Sequence, residues 1–434
     1  MILGILKNKV AKNATWIIVS RIIQAVFGLV LNMFIARYLG PSNYGIINYA
    51  VSVIAFVVPL MNLGFSNVLV QELTENPERE GKIIGTSIFL SLLSSLACTV
   101  GVVTYTFLVD ANETITNIVV SLYCLTLFAQ AFELIQYWFQ AKLLSKYTAI
   151  ISLVSYILVS IYKVCLLLTK ASVVLFGVTS SIDYFLISGG LLFTYFKLGG
   201  SKLLFSKEDG KRIFNKSKHY IFSSLMVTIF AQTDKVMLKL MIGEASVGYY
   251  SAAVTCAGLS AFVFVAIIDS FRPIIFQRKK EKNEIGYEQN IKRLYSVVIF
   301  LALIQSIIMT IFSRLIIKIL YGGEFQPSVL ALQIIVWYTT FSYIGSVRNI
   351  WILGENKQKY LWIVNLGGAL SNILLNLVFI NLWGIYGAAV ASLITQIFTN
   401  IVMSVIIWPL HHNNFLILQS LNPKILIDMM KRNH

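Results

Sequence analysis

The sequence has few charged residues. Charged side chains make up 12% of the 434 residues, against about 25% in an average soluble domain. Hydrophobic residues make up 57%, and the mean hydropathy is +0.77. Apolar runs of roughly 20 residues, the length that crosses the hydrocarbon core of a bilayer, recur along the chain. A soluble fold is therefore excluded, and the sequence predicts an all-α protein that crosses a membrane many times.

Residues and motifs for several kinds of chemistry are scarce or badly placed. The cysteines (Cys98, Cys124, Cys165 and Cys256) all lie in apolar runs and form no CxxC pair, so we expect neither a disulfide nor a metal. The few histidines lie at span ends or in the C-terminal tail, far from any nucleophile. The phosphate-binding loop G-x-x-x-x-G-K-[ST] is also missing. These absences argue against an enzyme and a nucleotide-driven pump, and we expect no cofactor.

About twelve membrane spans can be drawn, six on each side of a basic segment at 197–218. Their approximate limits are 14–36, 44–66, 82–109, 115–140, 147–169, 172–196, 219–239, 247–271, 294–320, 327–353, 360–380 and 385–410. An even number of spans gives both halves the same orientation, which predicts a parallel internal repeat.

The span pattern also predicts the domain organisation. We expect an N-terminal six-helix lobe at 1–196, a C-terminal six-helix lobe at 219–410 and a cytoplasmic tail at 411–434. The basic cytoplasmic loop at 197–218 is expected to be the flexible joint between the lobes.

One short motif occurs once in each half. When Gly40 is set on Gly243, Gly45 falls on Gly248 and Ala50 on Ala253, a spacing close to half the chain. Each copy joins the end of one apolar run to the start of the next. The motif therefore supports a duplicated unit of helix, tight corner and helix.

The net charge of +16 follows the predicted topology. Loops on one side hold most of the 35 lysines and arginines, whereas the opposite loops hold only Arg37 and Lys170. This bias predicts that both termini are cytoplasmic and argues against nucleic-acid binding. The first apolar run is not expected to be a cleaved signal, since Arg21 interrupts it and no small-x-small cleavage site follows.

Several charged residues lie inside the predicted spans. They are Arg21, Lys163, Lys235, Lys239, Arg314, Lys318 and Arg348 among the bases and Glu133, Asp183, Asp234 and Asp269 among the acids. A charge that faces lipid at the bilayer centre costs on the order of 3 kcal/mol or more. Near span ends, we expect Lys318 and Arg348 to reach the interface, and Lys239 also fits this reading. Arg21, Lys163, Asp183, Asp234 and Lys235 are expected to face a cavity or to form buried pairs.

Polar residues follow helical stripes in equivalent spans. The stripes are Asn13, Arg21, Gln24, Gly28 and Asn32 in the first span, Asn48, Ser52, Ala55, Pro59, Asn62 and Ser66 in the second, and Ser224, Thr228, Gln232, Lys235 and Lys239 in the seventh. They predict a water-filled cavity between the lobes. Packing of small residues is the alternative, although it does not explain Arg21 or Lys235. A further stripe, Asn365, Gly368, Asn372 and Asn376, fits packing better than ligand contact.

The corner motifs carry a resemblance to a known family. Asp234-Lys235 followed by the pattern G-x-x-x-V-G-x-Y-x-x-A from Gly243 to Ala253 is similar to a signature of polysaccharide-unit flippases. The run from Ala36 to Gly45 resembles the same family's A-R-x-L-G-P-x-x-Y-G corner. Trp138-Phe139-Gln140 and Gly384-Ile385-Tyr386-Gly387-Ala388-Ala389 match as well. Over about 10–410 the chain thus resembles the Wzx-type O-antigen and polysaccharide flippases of the multidrug/oligosaccharidyl-lipid/polysaccharide superfamily.

The resemblance implies a function and a substrate. It implies that undecaprenyl-pyrophosphate-linked oligosaccharide units pass from the cytoplasmic to the outer leaflet of the bacterial inner membrane, by alternating access, for O-antigen, capsule or exopolysaccharide synthesis. A cationic lumen would receive the pyrophosphate, and the candidate cations are Arg21, Lys163, Lys235, Lys239 and Arg314. The candidate groups for tuning, gating or coupling to H⁺ or Na⁺ are Glu133, Asp183, Asp234 and Asp269. Membrane lipids and a polysaccharide polymerase are the implied partners.

Two alternatives are weaker. A cation-coupled multidrug exporter of the same superfamily would favour acids over bases inside its spans, whereas here the bases are more numerous. A membrane-embedded glycosyl transferase or polymerase should have large outer loops with clustered acids or His/Arg groups. The outer loops at 110–116 and 321–326 are only a few residues long.

Overall fold

The structure is a computed structural model that describes residues 9–425, with side chains described at residue 24 and from 27 to 425. Every regular element in this part of the chain is helical. The chain divides into two compact units, Met1–Gln232 and Thr233–His434. The all-α architecture expected from the composition is confirmed.

The N-terminal unit consists of long helices joined by short turns. Its helices are α1 (Lys9–Met61), α2 (Leu69–Glu75), α3 (Glu80–Val109), α4 (Thr114–Glu133), α5 (Gln136–Ala141), α6 (Ser145–Leu168), α7 (Val173–Lys197) and the first part of α8 (Lys207–Met241). Helix α4 lies at the centre of the unit and packs against α1, α3 and α7. A core around Trp138, Phe139 and Tyr195 closes one end of it.

The C-terminal unit begins near the end of α8. Its further helices are α9 (Glu244–Ala257), α10 (Ala261–Lys280), α11 (Glu284–Leu320), α12 (Ser328–Gly354), α13 (Leu361–Trp383), α14 (Ile385–Ile397), α15 (Met403–Ile406) and α16 (His411–Ser420). A π-helical turn, Phe398–Val402, joins α14 to α15. Helix α12 is the centre of this unit, where it packs against α9, α11 and α14.

The helices follow the predicted spans in order. Within the described residues, 10 helices are long and apolar enough to cross a membrane, and the bent pair formed by α9 and α10 makes up to 11. Helix α1 is one of the 10, yet its backbone breaks at Gly40 into two limbs. When these limbs are taken separately, each of the twelve predicted spans has a helical counterpart.

The repeated corner has its glycine in the same region of φ and ψ in both halves. Gly40 has φ 70° and ψ 174°, and Gly243 has φ 125° and ψ 177°. Only glycine enters this region readily, because a Cβ would clash with the neighbouring backbone. Pro41 then supplies the fixed φ suited to the first turn of the second limb. The match of Gly40 to Gly243, inferred from spacing, is therefore visible as a match of backbone geometry.

The basic segment between the halves is partly helical. Residues 207–218 form the first turns of α8, which differs from the loop expected there. Ser206 accepts a hydrogen bond from the Asp209 backbone N–H at 3.3 Å, and Glu208 and Asp209 lie in the first turn. A capping serine and early acids both favour a helix start. The high density of lysines and arginines concealed this signal.

Ion pairs fix the start of α8 to the N-terminal unit. Glu72 of α2 is fully buried and pairs with Arg212 Nη2 at 3.0 Å and with Lys216 Nζ at 2.5 Å. Arg79 pairs with the buried carboxylate of Asp209 at 3.0 Å. Ser217 Oγ also donates to the Leu63 carbonyl at 2.7 Å. This segment is therefore an anchored part of the N-terminal unit.

Candidate functional site

A cavity of about 680 Å³ lies inside the N-terminal unit. The second limb of α1, α4, α7 and α8 form its walls. Four residues of the predicted second-span stripe line it, namely Ala55, Pro59, Asn62 and Ser66. Ser224 and Thr228 of the seventh-span stripe line the opposite wall. The stripes therefore share one cavity within this unit.

The polar lining of this cavity is neutral. None of the described residues that line it carries a formal charge, and its polar groups are hydroxyls and amides. Tyr123 Oη accepts a hydrogen bond from Ser180 at 3.2 Å, and Thr126 Oγ1 donates to the Tyr123 carbonyl at 2.6 Å. Gln130 and Tyr184 lie on the wall as well. The described part of the lining can therefore exchange hydrogen bonds with a ligand but offers an anion no cation.

Charged groups lie next to the cavity rather than on its wall. Asp183, adjacent to Tyr184, accepts a hydrogen bond from Ser155 Oγ at 2.6 Å. Glu133 and Lys163 both lie within electrostatic range of Asp183. The structure thus brings together three of the predicted charged residues from α4, α6 and α7.

In the C-terminal unit, Asp234 is the centre of a buried polar cluster. Its Oδ1 accepts from Asn372 Nδ2 at 3.0 Å and from Asn376 Nδ2 at 2.7 Å. Its Oδ2 accepts from Tyr250 Oη at 2.5 Å and from Ser392 Oγ. All five residues are less than 7% exposed. The carboxylate is thus surrounded by neutral donors from α9, α13 and α14, which is how a buried anion is held at low cost.

The two lysines near Asp234 differ in exposure. Lys239 is only 5% exposed, and its Nζ lies 3.8 Å from Glu244 Oε1 at the start of α9. Lys235 is half-buried and lies within electrostatic range of Asp234. Both lie in the part of α8 that belongs to the C-terminal unit.

The expectation that Arg348 reaches the membrane interface is wrong. Its side chain is only 4% exposed, inside the C-terminal unit. Nη1 donates to the Thr399 carbonyl at 2.5 Å and Nη2 to Asn349 Oδ1 at 3.2 Å. Thr399 lies in the π-helical turn, where the regular i to i−4 pattern is interrupted. Arg348 is therefore bonded to the polar backbone of that turn.

The remaining predicted charges lie at the surface of their unit or outside the described side chains. Arg314 is exposed on α11, and Asp269 is exposed and pairs with Arg272 of the same helix at 3.2 Å. Lys318 is exposed near the end of α11, as expected for a residue close to a span end. The side chain of Arg21 lies outside the described residues, although its backbone is helical.

Sequence reasoning missed several members of the buried cluster. Asn372 and Asn376 were assigned to helix packing, yet they hold Asp234. Two asparagines four residues apart in an otherwise apolar helix were the available signal, because burial requires both amides to find partners. Tyr250 is the tyrosine of the G-x-x-x-V-G-x-Y-x-x-A motif, whereas Ser392 gave no comparable signal. Among the described residues, no group of three or more His, Cys, Asp or Glu is placed to hold a metal ion.

Comparison with known proteins places the chain among membrane transporters of polysaccharide synthesis. A family model described as "Polysaccharide biosynthesis protein" matches residues 10–279. A putative O-antigen transporter of Escherichia coli (strain K12) is 21% identical over 401 residues, which cover 90% of this chain and 94% of that protein.

Solved structures share the helical architecture. The lipid II flippase MurJ in an inward closed conformation has a TM-score of 0.68 at 16% identity, covering 95% of this chain and 92% of that chain. An inward-facing multidrug resistance transporter of the MATE family has a TM-score of 0.68 at 13% identity, covering 90% and 96%. At these identities the likeness shows the fold. The resemblance found in the corner motifs is confirmed by the family model, and the chain belongs to the polysaccharide biosynthesis protein family.

Proposed function

We propose that this protein is a flippase that moves undecaprenyl-pyrophosphate-linked oligosaccharide units from the cytoplasmic to the outer leaflet. One observation carries the proposal: the similarity to a putative O-antigen transporter extends over 90% of this chain and 94% of that protein. The family membership and the many apolar helices agree with it. The chain is a multi-pass membrane transporter rather than an enzyme, and we place it in the bacterial inner membrane with both termini in the cytoplasm.

The physics of the substrate explains why a protein is needed. A pyrophosphate head group cannot cross about 30 Å of hydrocarbon unaided, because transfer of its charge out of water is too costly. We propose that lobes at 1–196 and 219–410 alternate in access, with the segment at 197–218 between them and the tail at 411–434 on the cytoplasmic side. The lipid chain stays in the bilayer while the head group and sugars move through the protein.

Cations are the proposed contacts for the pyrophosphate. Lys163 and Lys235 are half-buried within spans. Placing a charge there costs free energy, and charges that are kept inside spans commonly mark functional sites. Arg21, Lys239 and Arg314 are the further candidates. We expect joint neutral substitution of Arg21, Lys163 and Lys235 to reduce export strongly at normal protein levels. Unchanged export would refute the role of these three cations.

Acids are the proposed coupling groups. Asp234 is the best placed, because it is a single buried carboxylate with four neutral donors on three other helices. Uptake of a proton or a monovalent cation there would require that network to rearrange, which would couple the uptake to those helices. Glu133 and Asp183 form a second candidate group in the N-terminal unit. Asp269, exposed and paired with Arg272, is the weakest of the four. An imposed H⁺ or Na⁺ gradient that leaves transport in vesicles unchanged would contradict coupling.

The sidedness of the lipid-linked oligosaccharide tests the proposal directly. Depletion of the protein should leave these lipids in the cytoplasmic leaflet and remove the polymer from the cell surface. The measurement is accessibility of the sugar to a membrane-impermeant probe in intact and inverted vesicles. Normal sidedness after depletion would contradict the flippase function, whether or not a polymerase acts as a partner.

The structural likeness to a multidrug resistance transporter supports one second candidate. A drug exporter would lower the accumulation of cationic dyes in cells and would depend on an ion gradient. The same depleted strain distinguishes the two, because a drug exporter would change dye accumulation and leave the lipid-linked sugars in their normal leaflet.

A further inference from the structure

The neutral cavity of the N-terminal unit does not match the pyrophosphate end of the proposed substrate. Anion sites in proteins rely on arginine, lysine or converging backbone N–H groups. The described lining of this cavity has none of those side chains. The charged groups described beside the cavity, Glu133, Asp183 and Lys163, are two acids and one base. A phosphate would therefore be disfavoured here, and a different part of the substrate must be considered.

Several polar groups on the cavity wall have unused hydrogen-bonding capacity. In the described structure the Gln130 amide and the Tyr184 hydroxyl form no hydrogen bond, and both side chains are only partly buried. Asn62 uses its Oδ1 to accept from the Ser66 backbone N–H at 3.1 Å, which leaves its amide N–H groups available. Primary amides and hydroxyls both donate and accept, and this is the pattern that a hydroxyl-rich ligand requires.

The apolar part of the wall suits the same ligand. Ile54, Val58 and Pro59 of α1 lie on one side, and the rings of Tyr123 and Tyr184 lie on the wall formed by α4 and α7. A sugar ring presents C–H groups on its faces and hydroxyls around its edge. Tyrosine combines an apolar ring with a polar tip and fits both features. The volume of about 680 Å³ falls within the range of about 300–1,000 Å³ typical of ligand sites.

We propose that this cavity binds the uncharged glycosyl part of the substrate, with Gln130, Tyr184 and Asn62 as its hydrogen-bonding contacts. The proposal rests on the flippase function and assigns the sugar and the pyrophosphate to different groups of the protein. Because Glu133 and Asp183 lie beside the cavity, neutral sugars are preferred there over uronic acids. Among the proposed cations whose side chains are described, Lys163, Lys235, Lys239 and Arg314 lie outside this lining.

The test compares binding of three probes to the full-length protein in lipid nanodiscs. The probes are undecaprenyl pyrophosphate without sugar and the same lipid carrying N-acetylglucosamine or glucuronic acid. For the unmodified protein, the N-acetylglucosamine probe should bind more tightly than the bare lipid and the glucuronic acid probe. In the double variant Gln130→Leu/Tyr184→Phe, affinity for the N-acetylglucosamine probe should fall about tenfold through loss of two hydrogen bonds. Affinity for the bare lipid should stay the same.

Matched controls separate the site from general damage. Tyr38→Phe removes a hydroxyl that bonds the Ala171 carbonyl outside the cavity, and Gln71→Leu removes an exposed amide on α2. Neither variant should change the ratio of the affinities for the N-acetylglucosamine probe and the bare lipid. If the double variant folds poorly, Ala55→Phe is the substitute, since its ring would fill the cavity. It should lower the affinity for the N-acetylglucosamine probe alone.

The outcomes distinguish this inference from the function on which it rests. Suppose that the bare lipid and the N-acetylglucosamine probe both bind, but that the double variant and Ala55→Phe leave the ratio of these two affinities unchanged. The sugar site is then wrong, and the flippase function stands. An equal loss of affinity for the bare lipid in these variants would also overturn the sugar site, because it would show that the cavity holds the head group. If the unmodified protein binds no probe and depletion leaves sidedness normal, both proposals fail.

Discussion

The two units differ in how they hold the polar groups inside their predicted spans. The N-terminal unit surrounds a cavity of about 680 Å³ with neutral hydroxyls and amides, some of which have no protein partner. The C-terminal unit buries one carboxylate, Asp234, and provides it with four donors. Helix α8 contributes to both, with Ser224 and Thr228 in the first and Asp234 in the second. The first arrangement can receive a ligand, whereas the second is already complete.

The difference shows what an internal repeat retains. Gly40 and Gly243 lie in the same unusual region of φ and ψ, where any residue with a side chain is strained. The side chains of the interior are not under this backbone constraint. When these glycines are aligned, the counterpart of Asp234 is Leu31, which packs in an apolar cluster beside Ile35 and Leu39. Duplicated units thus share a backbone and can differ in chemistry.

The largest effect should come from removing the carboxylate of the closed cluster. Asp234→Ala removes the acceptor that four buried donors share and should lower the free energy of unfolding by about 4 kcal/mol, although Tyr250 and Ser392 still bond each other and Asn376 still donates to Asn372. Gln130→Ala, in the open cavity, should lower it by less than about 1 kcal/mol, since water can replace the amide there. Denaturation in mixed micelles, followed by tryptophan fluorescence, measures both. Equal losses would contradict the distinction between the two interiors.

The anchored start of α8 should show the next largest effect. Glu72→Gln removes the buried charge that pairs with Arg212 and Lys216 and should cost about 2–3 kcal/mol, a value discounted because both partners are partly exposed. Glu75→Gln is the matched control, since Glu75 is exposed and lies 3.8 Å from Lys216. It should cost about 0–0.5 kcal/mol. A similar cost for both variants would show that the buried pairing contributes nothing.

The shared corner can be tested in both halves. Gly40→Ala and Gly243→Ala should each cost about 2 kcal/mol, because alanine is strained in this region of φ and ψ. An added Cβ at Gly243 would meet no neighbouring atom within 4 Å, so its effect would report backbone strain alone. Gly101→Ala is the control, since Gly101 is helical and equally uncrowded, and it should be neutral or slightly stabilising. Unequal effects at the two corners would weaken the assignment of a repeat.

The smallest effect compares one hydroxyl in each unit. Tyr250→Phe removes a donor to the Asp234 carboxylate and should cost about 1.5 kcal/mol. Tyr123→Phe removes a hydroxyl whose partner is the neutral Ser180, and it should cost about 0.5 kcal/mol. The same unfolding measurement applies. A reversed order would contradict the larger contribution assigned to the hydrogen bond with Asp234.

Much of the fold could be predicted from the sequence. Twenty-residue apolar runs specify membrane helices because a helix satisfies all the backbone hydrogen bonds within a single segment in the bilayer. The corner was equally readable, since Gly40 with the adjacent Pro41 marks a turn and Gly243 follows at a spacing close to half the chain. The helical start of α8 was not predicted, because Ser206 and Asp209 form a capping signal within a segment dominated by lysine and arginine.

The site was less predictable because it depends on contacts between distant residues. Asp234 was selected as a buried acid, but its partners come from three other helices, up to 158 residues away. Arg348 was expected near the membrane interface, because its position in a predicted span says nothing about the π-helical turn beside it. Charge alone also could not show that the cavity of the N-terminal unit is neutral, since that depends on which faces of four helices meet.

The corner at Gly40 has a consequence for how the protein is made. A single glycine separates the two limbs of α1, so no polar loop follows the first limb across the bilayer. The link between the limbs is short, which disfavours a state in which the first limb is inserted and the second remains in the aqueous phase. We therefore expect the two limbs to enter the membrane together, and the same expectation applies to α8 and α9 at Gly243. A corner that specifies the folded backbone thus also sets the unit of insertion during synthesis.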